Sequence, residues 1–337
     1  MQKKSDWLDL SLEGQRNIFS DFPISIVDIG ASNSPPQNCL DIATISTYLG
    51  FDPDLREPQE NHGFDFLRRI IIDKAVISLQ QDYVEFYLTK YPQCSSTLCP
   101  DENEYKHYSV SPFFDVVDRV KIPSITLENA LKSSHIKYID WLKLDTQGTD
   151  LDILKSLDPS TINKLLAVDL EPGVTSFYNG ENRFSDIHEY MLGNGFWLAN
   201  LSQQRFPRIS DSTVKKLSLT NEEIHLIGDS PFAFELQYFR NLDFLAKQNV
   251  SFRDLFAFWI LAMTNSHFAF AIEIAMFARQ LELGDELSDK LVSITLQLCR
   301  HQNEIKKGSF LRNLFTLISP PIFFKLLRKL KRLRNLI

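Results

Sequence analysis

The sequence predicts an α/β fold: a doubly wound, mostly parallel sheet with an added α-helical C-terminal region. Three observations lead there. Short apolar, β-branched runs bounded by Pro, Gly or Asp read as buried strands. Helical segments separate these runs, which implies parallel pairing. Past about residue 211 the strand pattern gives way to longer helical runs.

The first strand is Ile24–Ile29, ending at Gly30. Pro35-Pro36 leaves room for only a short helix through Cys39–Ala43, and Ser46–Phe51 is the second strand, closed by Asp52-Pro53-Asp54. Ile70–Ser78 and Tyr83–Leu88 read as a third strand and an extra hairpin strand, and Pro92–Pro112 reads as a loop. Thr126 is placed to cap a short helix holding Asn129-Ala130-Leu131. Ile139–Leu144 is the next buried strand, followed by helix Leu151–Leu157, strand Leu165–Leu170, helix Phe184–Leu192 and strand Phe196–Leu201. Further on, Ser251 and Asp254 form a capping box ahead of an apolar run. Leu255–Met263, Ser266–Leu281 and Asp285–Arg300 read as three helices, with Gly284 at a C′ position. Leu255–Ile272 holds 18 residues without a charge, the lower limit for a membrane span, but the polar Thr264-Asn265-Ser266-His267 inside it favours a buried hairpin. The chain divides as 1–210 for the α/β domain, 211–304 for the helical region and 305–337 for a basic tail.

The chain of 337 residues carries a net charge of −7, unevenly divided. Residues 305–337 hold nine Lys or Arg and no acid, so the first 304 carry −16. So acidic a body makes a poor nucleic-acid binder, and no nucleic-acid partner is expected. Four scattered cysteines with no CxxC read as reduced thiols, with Cys94 and Cys99 as an alternative redox pair. The N-terminus lacks an apolar core of signal-peptide length, so a cytoplasmic location is expected.

Ligands of such a sheet bind beyond the carboxyl ends of its strands. Gly30 there lets backbone approach a ligand closely. Asp52, 22 residues later, ends the second strand, where a carboxylate can accept hydrogen bonds from two ribose hydroxyls. Ala31-Ser32-Asn33-Ser34 replaces a Gly-rich turn, so nothing cradles a pyrophosphate, which disfavours an NAD enzyme. Asp145 follows Trp141-Leu142-Lys143-Leu144 at a strand end and is the leading catalytic candidate; its alternatives are cation ligand and cap of the helix near Gly148. Glu171 ends the next strand and could pair with it. His107 lies in a loop that could cover the site, and His188 reads as a surface histidine on a helix.

Seven stretches in order resemble the FkbM family of S-adenosylmethionine-dependent methyltransferases. They are Ile26–Ser32 (IVDIGAS), Tyr48–Asp54 (YLGFDPD), Ala75–Lys90 (AVISLQQDYVEFYLTK), Cys94–Leu98 (CSSTL), Ile125–Leu131 (ITLENAL), Asp140–Leu154 (DWLKLDTQGTDLDIL) and Ala167–Phe196. Together they lie within about residues 24–202. The chain departs from the family at Ser32-Asn33-Ser34-Pro35-Pro36, and again at Gln147-Gly148 and Asp150, where the family usually has Glu-Gly and a following Glu. The resemblance implies a class I, Rossmann-like methyltransferase using S-adenosyl-L-methionine, a ligand without phosphates that tolerates a looser turn. It places Asp28, Gly30, Ser32 and Asn33 at the methionine end and Asp52 on the ribose. Asp54 is a further cofactor candidate, and Asp73 is placed at the adenine, with a solvated loop as its alternative. Ser95 and Ser96 match the family's paired serines.

These readings combine into an O-methyltransferase acting on a hydroxyl, of a glycan or glycolipid precursor. Asp145, Glu171 and His107 are its candidate catalytic residues. The alternative is a non-catalytic methyltransferase-like scaffold in surface-polysaccharide assembly. The tail adds a membrane expectation. Within it Phe323, Leu326, Leu327, Leu330, Leu333 and Ile337 share one helical face and Lys or Arg take the rest. That is the pattern of a helix lying on an anionic leaflet through residues 309–337, or else docked on the acidic body.

Overall fold

The computed structural model describes residues 6–13, 16–31, 35–54, 56, 64–282 and 285–300. Ten strands follow in chain order: β1 Ile24–Ile29, β2 Ser46–Phe51, β3 Arg68–Ile72, β4 Ala75–Val76, β5 Tyr83–Thr89, β6 Val116–Ile125, β7 Trp141–Leu144, β8 Ala167–Leu170, β9 Phe196–Phe206 and β10 Ser230–Arg240. Seven of them make one sheet in the order β3-β2-β1-β7-β8-β10-β9. β3, β2, β1, β7 and β8 pair in parallel, while β10 runs antiparallel to both of its neighbours. β4, β6 and β5 form a small second sheet. Every residue of β1 and β2 is buried, Ser25, Asp28, Ser46 and Thr47 included, as in strands whose sheet is covered by helices on both faces.

The two covers are different helices. On one face Val27, Leu142, Val168 and Tyr238 meet Leu127 and Leu131 of helix Leu127–Ser133, Leu151 and Leu154 of helix Asp150–Lys155, and Ile187 and Met191 of helix Phe184–Gly193. On the other face Ile26, Trp141, Ala167 and Phe239 meet helices Phe252–Thr264 and Phe268–Gln280. Leu255 to Met263 are nine consecutive buried residues, so that helix lies inside the core on all sides. A further helix over residues 285–300 packs outside it, where Thr295 accepts from the Trp259 indole at 3.2 Å. Each such large apolar side chain contributes about 1.5–3 kcal/mol when buried.

Expectation and structure agree on β1 and β2 residue for residue, on the Thr126 cap, and on the Ser251–Asp254 capping box. The turn at Asn265–His267 separates the two helices of the expected hairpin, of which Phe252–Thr264 is buried and Phe268–Gln280 buries one side only, and no helix among the described residues is long and apolar enough to cross a membrane. Three points differ. The run read as Ile70–Ser78 splits, because a turn at Asp73-Lys74 sends β3 to the main sheet and β4 to the small one. β6, whose residues are mostly exposed and mix charge with Pro123, was not foreseen. The span from 211, read as helical, contains β10, which inserts between β8 and β9, so the main sheet runs on past residue 210. Arg240 hides that strand in the sequence. Its fully buried guanidinium donates to the carbonyls of Leu165, Asn194 and Ile162 and lies between the rings of Phe196 and Phe244. Gly284 and the tail from 301 lie outside the described residues.

Candidate active site

The site begins where β1, β2, β7 and β8 end. Gly30 has a φ of +87°, and a Cβ there would sit 2.2 Å from the Asp145 carbonyl oxygen. Only glycine lets the ends of β1 and β7 close this tightly. Asp52 is buried directly after β2, and its Oδ1 accepts the Asp54 N–H at 2.9 Å. Asp54 grips the Arg56 guanidinium, which also donates to the Thr89 carbonyl and the Ser95 hydroxyl, each at 2.8 Å. Burial works against the Asp54 carboxylate, but the hydrogen bonds from Arg56 outweigh it and hold the group below its ordinary value. Asp54 and Ser95 thereby fasten the end of β2 to the end of β5. A cleft opens between these elements, with Gly30, Asp52, Asp54 and Asp145 among its walls and Phe51, Val76 and Phe86 as apolar surface.

Asp145 accepts a hydrogen bond from the Gln147 side-chain amide at 2.6 Å. The helix that follows, Asp150–Lys155, has Thr149 at its N-cap, so Asp145 is not that helix's cap. Gln147 is held with φ +56°, its carbonyl taking the Ser96 hydroxyl at 2.8 Å and its side-chain oxygen lying 3.0 Å from the Tyr178 hydroxyl. Lys143 Nζ stands 3.8 Å from Asp28, 3.9 Å from Asp145 and 3.6 Å from Glu171. Burial and the neighbouring Asp145 push the Glu171 carboxyl up to about 8, against the pull of Lys143. Burial also raises Asp145, while Lys143 and the Gln147 amide oppose it. Lys143 itself is raised: burial opposes its charge, but the surrounding acids prevail. The cluster therefore holds one firm cation among carboxyls that compete to stay charged.

A second cavity meets the first at Gln93, Asp145 and Gln147. Its walls are aromatic, including Phe113, Phe177, Tyr178 and Phe232, with Glu171 and Glu181 as polar points. Burial raises Glu181 to about 7, although the backbone N–H groups of Gly173 and Tyr178 donate to it.

The structure thus brings Gly30, Asp52, Asp54, Asp145 and Glu171 together. Asp28 lies buried beneath the cleft within β1, where it accepts the Tyr48 hydroxyl at 2.7 Å. Asp73 is exposed on its turn; the cleft wall there is Lys74, Ala75 and Val76. His107 is exposed on the turn after Glu102–Tyr105 and lines neither cavity. His188 is half-buried rather than on the surface, its ring 2.9 Å from the Tyr238 hydroxyl. Ser32 and Asn33 lie outside the described residues. Sequence reasoning missed Lys143, Gln147, Tyr178 and Glu181. A lysine inside a buried strand was the available signal.

The strand order, with one antiparallel strand next to last, and a cleft beyond the strand ends define a doubly wound, Rossmann-like α/β fold with a ligand cleft at its usual place. Residues 28–198 match the methyltransferase FkbM domain, and the chain belongs to that family of methyltransferases. No curated protein matches the chain.

Proposed function

We propose that the chain is an S-adenosyl-L-methionine-dependent O-methyltransferase whose acceptor is a hydroxyl of a glycan or glycolipid precursor. The observation that carries this is the meeting of two cavities at Asp145: one suited to a nucleoside, the other to an acceptor. The residues present fit the cofactor. Gly30 leaves no side chain between it and the backbone, and the buried Asp52 carboxylate stands where ribose hydroxyls would donate. Asp52, Asp54 and Asp145 favour a sulfonium cation over a pyrophosphate. When bound, the cofactor supplies an electrophilic methyl group whose carbon–sulfur bond breaks as the oxygen–carbon bond forms.

The protein's own part is to hold the hydroxyl in line and take its proton. Asp145 is the base, because Gln147 hydrogen-bonds its carboxylate form and Lys143 faces it. Glu171, raised to about 8, keeps its proton at neutral pH and offers it to the acceptor as a hydrogen-bond donor. Ring faces of Phe113, Phe177 and Phe232 give an apolar surface for the non-sugar, apolar portion of the acceptor. The basic, apolar-faced tail, residues 309–337, adds attachment to an anionic membrane surface on the cytoplasmic side.

The test is turnover with methyl-labelled S-adenosylmethionine and a panel of glycan and glycolipid acceptors. Label should appear as a methyl ether on one acceptor class. Asp145→Asn should lower that rate by about 10²–10⁴-fold with cofactor affinity nearly unchanged. An unaltered rate in the variant would remove Asp145 as the base, and no transfer to any hydroxyl would contradict the assignment.

A further inference from the structure

Five neighbouring strands of the main sheet each carry one polar residue at the same level. Asp28 on β1 pairs in register with Lys143 on β7, Lys143 with Asp169 on β8, Asp169 with Gln237 on β10, and Gln237 with Asn200 on β9. Residues in register point to the same face. One level below on that face the row reads Ile26, Trp141, Ala167, Phe239 and Trp197, all apolar. This face of the sheet thus turns from apolar to polar at a single level, on five strands at once. Burying polar groups costs free energy unless each finds a partner, so such a row needs a reason.

Part of the row is fastened. The Trp141 indole and the Gln237 amide donate to the two Asp169 oxygens at 2.9 and 3.0 Å. Gln237 Oε1 is left to accept, so the His267 Nε2 that stands 3.2 Å away is its donor. The rest is open. Lys143 Nζ lies 3.6–3.9 Å from its three acids, beyond hydrogen-bond length, and the buried Asp28 Oδ1 has no hydrogen-bond partner. The turn of the helical hairpin overhangs this row. It brings His267 and Asn265, and Asn265 accepts from the Asn38 amide at 2.9 Å. Between turn and row lies a chamber lined by Lys143, Asp169, Glu171, Asn200, Gln237 and His267. Glu171 borders both this chamber and the aromatic cavity.

The lining selects its ligand. One cation among Asp169, Glu171 and Glu235 does not suit a phosphate or a carboxylate. The described residues hold no group of His, Cys, Asp and Glu able to bind a metal ion. Alternating carboxylate acceptors and amide or ammonium donors match groups that donate and accept at once, which is what ring hydroxyls do. We propose that this chamber is the sugar-ring subsite of the acceptor: an uncharged polyhydroxyl ring sits over Lys143 and Gln237, presents a hydroxyl toward Glu171, and is walled by the C-terminal helical hairpin. The inference rests on the methyltransferase reading for its chemistry but not for its binding.

Binding separates the two. Full-length protein is titrated with methyl glycosides of glucose, galactose, mannose and N-acetylglucosamine by saturation-transfer NMR, with and without S-adenosylhomocysteine. At least one glycoside should bind wild type. Gln237→Leu should weaken it by about tenfold or more, the effect of one lost buried polar contact. Asn200→Trp, at the exposed rim, should block it while leaving the buried network and the fold intact, as judged by circular dichroism. S-adenosylhomocysteine should bind both variants like wild type. Glycosides that bind neither form of wild type, or bind Asn200→Trp equally well, would overturn the subsite. A glycoside signal lost only in Phe113→Ala would move the ring to the aromatic cavity and overturn it too. If S-adenosylhomocysteine fails to bind wild type, the cofactor reading falls while the glycoside result still decides the subsite.

Discussion

The two faces of the main sheet are built by the same strands and do different work. On one, Val27 and Ile29, Leu142 and Leu144, Val168 and Leu170 are apolar to the very end of each strand. On the other, Ile26, Trp141 and Ala167 are followed two residues later by Asp28, Lys143 and Asp169. The first face is apolar core along every strand, and only its uppermost residues, such as Ile29 and Phe51, also wall the cleft. The second is a core for half its length and a site for the remainder. Function here begins where one face of a strand stops being apolar, before the strand itself ends.

Removing apolar volume from the first face should give the largest effect. Leu142 is fully buried, and Leu142→Ala should lower unfolding free energy by about 2–5 kcal/mol in chemical denaturation. Ligand affinity of the folded fraction should be unaltered; a change in affinity as large as the change in stability would erase the distinction between the faces.

A smaller effect, with a sign, is expected from the second face. Folding raises Glu171 from an ordinary 4.5 to about 8, so between those values the folded chain holds a proton that the unfolded chain has lost. Stability from this group is full below about pH 4.5 and falls as pH rises through about 8. Glu171→Gln stays neutral throughout. Its melting temperature should decline less steeply than wild type across that range, and parallel curves would show that Glu171 is not raised.

The tail should matter least to either face. Truncation before Ser309 should leave stability and cofactor affinity unchanged while abolishing sedimentation with anionic vesicles. Each Lys or Arg at such a surface contributes about 1 kcal/mol, which salt screens, and salt should weaken wild-type binding only in part because the apolar face remains. A truncated chain that pellets as well as wild type would end the membrane attachment, and one that melts lower would show the helix docked on the body.

Much of this was legible in the sequence, and unevenly so. β1 and β2 were read to the residue because Pro23, Gly30 and Asp52 punctuate short, largely apolar runs. Gly30, Asp52 and Asp145 followed from where those runs end. β10 was not legible, because Glu235, Gln237 and Arg240 break its pattern and their partners come from distant elements. The polar row left a trace that went unread: Val27-Asp28-Ile29, Leu142-Lys143-Leu144 and Val168-Asp169-Leu170 each set one charge between two apolar residues. Only the register shows that these three charges are neighbours. Whether Asp28 faces a ligand was not legible for a related reason, since a motif fixes a residue's position along the strand but not the face from which its side chain leaves; Asp73 stands on an exposed turn, the solvated-loop alternative of its reading.

The central claim is that the cleft at Gly30 and Asp52 binds S-adenosylmethionine, and calorimetric titration of wild type beside Asp52→Ala tests it most directly. Wild type should bind with one site per chain. The variant should stay folded and lose about 1.5–3 kcal/mol for each charge-assisted hydrogen bond removed from the ribose. Equal affinities would take Asp52 out of the site, and no binding to wild type would contradict the account.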